Sequence, residues 1–311
     1  MSRVLITGGA GPLGAAVARR LLSDPAYDVR ISDAREAPRW MREGCEMHRG
    51  DLRSSQQALA AVKGCLHVIH LACFGQRGEQ DEAPHALLEY EAALHNAMLR
   101  AALDRGVERF VHVSSPLVFE HATLFPTPEE HLRECPAPSS ARGFARLAGE
   151  RLCAAAGREH GLQSTICRPF GAYGPRAGAH GLSELIDEAI GGERPLRLPG
   201  TGEQRLTPTH VDDLAAGIVA ALGSPEAANE DFNLGSGHEL SLMELAALAW
   251  EAGGAAGEPP FEHVPAREGE PERSCPATAK ARELLGWEAQ IAPEDGVASL
   301  AQTGGVIGSA L

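Results

Sequence analysis

Val4-Leu5-Ile6-Thr7-Gly8-Gly9-Ala10-Gly11-Pro12-Leu13-Gly14 is the stretch that decides the fold. Three β-branched or branched apolar residues make a short buried strand. Gly8 to Gly14 is a glycine-rich turn, and Ala15 to Leu22 continues with apolar residues at helical spacing and Arg19 and Arg20 on the other face. Gly8, Gly11 and Gly14 stand in GxxGxxG spacing. Glycine allows a tight turn and a close backbone approach, and the helix start then offers free N–H groups and the positive end of a dipole. That combination suits a pyrophosphate when it sits between a strand and a helix, as it does here.

Outward from this stretch the pattern repeats. Val29 to Ile31 reads as a second strand running to Asp33, His67 to Leu71 as a later one and Phe110 to Val113 as another, with helices at Leu87 to Leu103 and Ser139 to Ala156. Strand–helix alternation predicts a Rossmann-type α/β fold, a doubly wound parallel sheet covered on both faces. After about residue 170, Gly and Pro become frequent and the helices shorten to Leu214–Leu222 and Leu242–Ala252. The expected organisation is a nucleotide-binding domain over 1–170 and a smaller substrate-binding lobe over 171–311, interleaved with the first. Gln302 to Leu311 reads as a loosely held tail.

Asp33 lies about 20 residues past the glycines, where a carboxylate accepts hydrogen bonds from the adenosine ribose hydroxyls and repels a 2′-phosphate. NAD is therefore the expected cofactor, with Arg35 close enough to soften the preference over NADP. The 311 residues are 43% hydrophobic, ample for a sizeable core. The net charge of −14 argues against nucleic acid or an acidic membrane surface as partner. No run of residues is long and apolar enough for a membrane span, and the N-terminus enters a strand at once, so a cytoplasmic protein is expected. Seven cysteines, an odd number without CxxC spacing, read as free thiols, and no metal site is expected.

The chain resembles the extended short-chain dehydrogenases/reductases, the NAD-dependent nucleotide-sugar epimerases and dehydratases. Thr7 to Gly14 matches that family's glycine turn, and the resemblance runs through nearly the whole chain. It continues with Gly50-Asp51-Leu52, His70-Leu71-Ala72, Ser114-Ser115 with Val118-Phe119, Arg168-Pro169-Phe170 to Gly174-Pro175, His210-Val211-Asp212-Asp213, Asn233-Leu234-Gly235 and Leu284-Leu285-Gly286-Trp287. The resemblance implies a cofactor site of Gly8, Gly11, Pro12, Leu13, Gly14, Asp33, Asp51 (on the adenine amino group), Leu52, Leu71, Ala72 and Arg146. It implies a nucleotide-sugar substrate, a homodimer through the helices at 87–103 and 139–156, and substrate contacts from Cys73, Tyr173, Arg205 and Arg267.

The catalytic positions depart from that family. Its chemistry rests on a Tyr-x-x-x-Lys pair on one helical face and a Ser or Thr on the preceding strand. Here Leu147-Ala148-Gly149-Glu150 anchors the register and puts Arg142 at the tyrosine position and Arg146 at the lysine position. No tyrosine in the chain is followed by lysine four residues on, so no register restores the pair. Ser115 keeps the serine position, whereas Pro116-Leu117 replace the Asp-Glu that dehydratases carry. Glu91 takes the place of the family's helix asparagine. Arg146 can bind ribose hydroxyls. Arg142 stays protonated and can only orient an anion or act as an electrostatic clamp. Proton transfer must fall to another group, with Cys73, His121, Glu91 and Tyr173 as candidates. Three readings stay open: an NAD-dependent epimerase or oxidoreductase, an NAD-binding protein without redox catalysis, and a lyase or isomerase that uses Arg142 electrostatically.

Overall fold

Ser2–Thr7 (β1) enters the protein interior at once: Val4, Leu5 and Ile6 are fully buried. The computed structural model describes residues 1–74, 83–175, 182–192, 195–266 and 269–303. β1 turns at the glycines into Pro12–Leu22 (α1), which has proline in its first turn, where a missing N–H costs nothing. Tyr27–Ser32 (β2), Arg39–Gly44 (α2), Glu46–His48 (β3), Ser55–Val62 (α3) and His67–His70 (β4) follow. Pro84–Arg105 (α4), Arg109–Val113 (β5), Ala141–His160 (α5) and Ser164–Pro169 (β6) complete the regular half. The expected helix over 139–156 starts two residues later and runs four further. Ser140 caps it by accepting from the Gly143 N–H, and Gly161 ends it with φ +73°.

Asp231–Leu234 (β7) pairs with β6, and the seven strands lie in the order β7-β6-β5-β4-β1-β2-β3, all parallel. Chain direction along the sheet reverses between β1 and β4, which opens a crevice at their carboxyl ends. One face is covered by α1 and Val211–Gly223 (α7), the other by α3, α4 and α5. Residues 211–234 thus return to the main sheet. Leu182–Gly191 (α6), Leu242–Ala252 (α8) and Pro293–Gln302 (α10) build a separate core around Leu198, Leu245 and Trp250, while Ala279–Leu285 (α9) lies against β7. The tail expected at the C-terminus lies outside the described residues from position 304 onward.

Two buried polar clusters lie between the sheet and the helices over it, the first tying α5 to β6 and the second joining β4, β5 and α4. In the first, Arg168 on β6 donates through Nε (2.8 Å) and Nη2 (2.7 Å) to the two oxygens of Glu150, and Nη2 also donates to Asp231 (2.8 Å). Ser114 donates to Glu150 at 2.6 Å, and Lys280 binds Asp231 at 2.7 Å. Burial works against the Arg168 charge, but the two carboxylates outweigh it and raise its pKa. In the second, His70, His95 and His112 pack edge-on or tilted against one another with ring centroids 4.8–6.0 Å apart. Burial pushes His70 and His112 well below the ordinary imidazole value of 6.5, with the neighbouring His95 adding to it. His95 is also lowered by burial, partly offset by Glu91.

Two outcomes follow for stability. Glu150→Ala leaves Arg168 with Asp231 as its one carboxylate and should cost about 3 kcal/mol or more in urea denaturation; a midpoint equal to wild type would contradict the network's role. The three imidazoles bind protons in the unfolded chain near pH 6.5 but not in the folded one. Their contribution is therefore complete above that pH and is lost as pH falls toward the folded-state values. Stability should drop between pH 7.5 and 5.5 by up to about 1.4 kcal/mol per pH unit for each proton taken up only on unfolding. Equal urea midpoints at the two pH values would refute this.

Candidate functional site

The glycine turn is fixed by close backbone packing. Gly8 has φ +69°, and a β-carbon there would lie 2.8 Å from the Ala72 nitrogen, because the end of β4 crosses directly over it. Leu71 N–H donates to the Thr7 carbonyl (3.1 Å) and Ala72 N–H to Thr7 Oγ1 (3.2 Å). A β-carbon on Gly14 would lie 2.6 Å from the Gly8 carbonyl oxygen. The first turn of α1 has no side-chain cap at Gly11, so its amides remain available to an anion. This cradle fits the pyrophosphate of NAD.

Gly8, Gly11, Pro12, Leu13, Gly14 and Leu71 line one end of a cleft of ≈890 Å³. Asp33, with its side chain 5% exposed, lies behind that end. Its Oδ2 accepts from the Ala10 N–H at 2.9 Å, and Arg35 forks across both oxygens. Ala72 packs against Gly8. Asp51 and Leu52 sit elsewhere. Leu52 is buried in the core beneath α3 and α4. Asp51 lines a neighbouring cavity of ≈400 Å³ with Phe74 and Tyr90. There Arg53 grips its carboxylate at 2.6 Å, holds it below the usual carboxylate range and stacks on the Tyr90 ring at 4.5 Å.

The middle of the cleft brings together Ser115, Arg142, Arg146 and Cys73. Ser115 lies two residues past β5 and caps a short 3₁₀ turn, Pro116–Phe119, by accepting from the Leu117 N–H at 3.2 Å. Its hydroxyl hydrogen is left to donate elsewhere. Arg142 is buried in the first turn of α5, and Arg146 lies one turn further on the same face. Glu91 backs Arg146, with Oε2 3.9 Å from Nη1, and its Oε1 accepts from the Phe74 N–H at 2.6 Å. Burial opposes the Arg146 charge, but Glu91 and the nearby Cys73 thiol prevail and raise its pKa. Glu91 thereby links α5 to the loop that carries the exposed Cys73.

Tyr173 requires correction as a substrate contact or proton carrier. It is fully buried in the lobe core beside α10, its hydroxyl against Gly296 and its ring edge-on to His210 at 5.5 Å. The Gly171–Tyr173 turn lets the backbone line the cleft while the alternate side chain points inward. His121 bonds Ser139 at 2.8 Å, and neither it nor Glu91 lines the cleft.

At the far end, Arg205 lines the cleft while paired with Glu239 (2.9 Å) and Glu244 (3.5 Å). Arg267 lies outside the described residues. Arg197 was not anticipated: it is exposed and lines the cleft between fully buried Leu196 and Leu198. The alternation Leu196-Arg197-Leu198 was the available signal for it.

Residues 4–235 match the model of the NAD dependent epimerase/dehydratase family. The chain is 29% identical to UDP-glucose 4-epimerase of Mycolicibacterium smegmatis over 312 residues, which is 95% of this chain and 96% of that protein. Among solved structures, UDP-glucose 4-epimerase of Thermotoga maritima with UDP-glucose superposes with TM-score 0.87 at 26% identity, over 96% of this chain and 97% of the other. The dTDP-glucose 4,6-dehydratase of Streptomyces venezuelae, with NAD bound, gives 0.86 at 25% over 96% of each.

Gly8→Ala should weaken NAD binding by at least about tenfold in calorimetry, since its β-carbon meets backbone on a left-handed residue. Unchanged affinity would show that the turn does not hold the cofactor.

Proposed function

The chain belongs to the NAD-dependent epimerase/dehydratase family, and from that premise we propose that it is an NAD-dependent epimerase or oxidoreductase of a nucleotide sugar, with Arg142 and Arg146 replacing the usual tyrosine and lysine. One observation carries this reading: a single cleft runs from the glycine turn past Ser115, Arg142 and Arg146 to Arg197 and Arg205. Its basic far end suits a diphosphate-linked sugar beside a cofactor held at the glycine turn.

NAD, when bound, supplies reversible oxidation of a substrate hydroxyl. The chain's own residues divide the remaining work. Ser115 donates its free hydroxyl hydrogen to the reacting oxygen. Arg146, held by Glu91, offers its guanidinium to the nicotinamide ribose. Arg142 is a fixed positive charge that cannot accept a proton and so serves as a clamp, favouring a sugar that carries a carboxylate. The proton of the substrate hydroxyl passes to Cys73, the one candidate acid/base of the four that lines the cleft, acting as thiolate; the thiol so formed returns the proton when the carbonyl is reduced again. Among the described residues no tyrosine lines it, which favours a thiol in that role and keeps a lyase or isomerase without net redox change as the second reading. Pro116 and Leu117 begin the 3₁₀ turn where dehydratases need acidic groups, which argues against a 4,6-dehydratase.

α4 and α5 pack on each other, and α5 exposes Phe144 (50%), which supports a homodimer through this pair. No helix among the described residues is long and apolar enough to cross a membrane. All seven cysteines are free, in keeping with a reducing cytoplasm.

A panel of neutral and uronic nucleotide sugars, followed by NMR for epimer and by the reduced-cofactor absorbance, tests the proposal. Turnover should appear with an anionic sugar. Cys73→Ala should lower kcat by about 100-fold or more, and Arg142→Ala should raise KM for the anionic sugar by about tenfold or more. Cofactor that stays oxidised while product forms would establish the second reading, and no product from any sugar would leave a binding protein.

A further inference from the structure

The residue that should reject a 2′-phosphate is neutralised in this protein. Arg35 donates to Asp33 from its backbone N–H (2.8 Å), from Nε (3.1 Å) and from Nη2 (2.9 Å), a bidentate fork across both carboxylate oxygens. The Asp33 side chain is 5% exposed and that of Arg35 56%, so the pair presents a guanidinium rather than a carboxylate to the solvent. The guanidinium lies across the glycine turn, where a β-carbon on Gly11 would come 2.9 Å from Nη2, and it lines the cleft. Nη1 makes no hydrogen bond among the described residues.

The surroundings reinforce the positive sign. The β2–β3 register pairs Ser32 with His48, so the exposed Arg49 leaves the sheet beside Asp33. The nearest acidic neighbour in sequence, Glu36, is tied to Arg42 at 2.9 Å and does not compete for Arg35. An aspartate at the end of the second strand selects against a 2′-phosphate by like-charge repulsion. Here a fork of donors cancels that charge and still offers N–H groups, the donor set that suits phosphate.

We propose that this site accepts NADP as well as NAD, with Arg35, flanked by Arg49, holding the 2′-phosphate. The proposal rests on the assignment of the glycine turn and Asp33 as the dinucleotide site. With NAD, Arg35 swings off Asp33 to free it for the ribose hydroxyls. With NADP, Arg35 stays and Asp33 positions it.

Calorimetry of the full chain with NAD⁺ and NADP⁺ tests this, with 2′-AMP and 5′-AMP as fragment probes. Wild-type dissociation constants for NAD⁺ and NADP⁺ should lie within about tenfold of each other. Arg35→Ala should shift the NADP⁺:NAD⁺ affinity ratio toward NAD⁺ by about tenfold or more, with 2′-AMP binding falling more than 5′-AMP binding. Added salt should weaken NADP⁺ more steeply than NAD⁺. The proposal is overturned if wild type prefers NAD⁺ by more than about tenfold, or if Arg35→Ala leaves the ratio unchanged while its thermal melt matches wild type. If neither dinucleotide binds, the site assignment itself fails, and the proposal falls with it by a separate route.

Discussion

The buried fork between Arg168 and Glu150 joins the parts of the protein that must stay in register for the site to exist. Arg168 belongs to β6 and Glu150 to α5. Ser114, next to Ser115 just past β5, shares the same carboxylate, and Asp231 brings in the seventh strand. A charge this deep is tolerated only with its partners in place, so the network specifies one position of α5 against the sheet. Arg142 and Arg146 face Ser115 because that position is fixed.

Close approach makes the same point by another route. α5 carries Gly149 toward the sheet and Gly143 toward the turn that follows Ser115. A β-carbon on Gly149 would lie 2.6 Å from His95 Nε2 and 2.9 Å from His112 Nε2, and one on Gly143 would lie 2.8 Å from the Leu117 carbonyl oxygen. The helix therefore presses onto the sheet over a layer of neutral histidines and next to the turn that follows Ser115. Packing and electrostatics agree on where the two arginines go.

The cleft contrasts with the surface of an otherwise acidic chain. Arg35, Arg142, Arg146, Arg197 and Arg205 line it from end to end, with Glu184, Glu188 and Glu270 interspersed. A net charge of −14 is therefore compatible with an anionic ligand, because five arginines line the cleft.

Local signals told the fold well. The glycine turn and the strand alternation are short-range features, and each expected strand and helix appeared close to its expected bounds, whereas the caps at Ser140 and Gly161 emerged only from the structure. Ser115, Arg142, Arg146 and Cys73 were named through the family resemblance, and helical spacing added only that Arg142 and Arg146, four apart, share one face. What the residues alone did not decide was which charges meet. Asp33 and Asp51 each turned out to be gripped by an arginine two residues on, Tyr173 faced the lobe core, and Arg197 joined the cleft. Those outcomes depend on side-chain direction and on packing between distant segments, so only the assembled sheet, with its reversal between β1 and β4, could fix them.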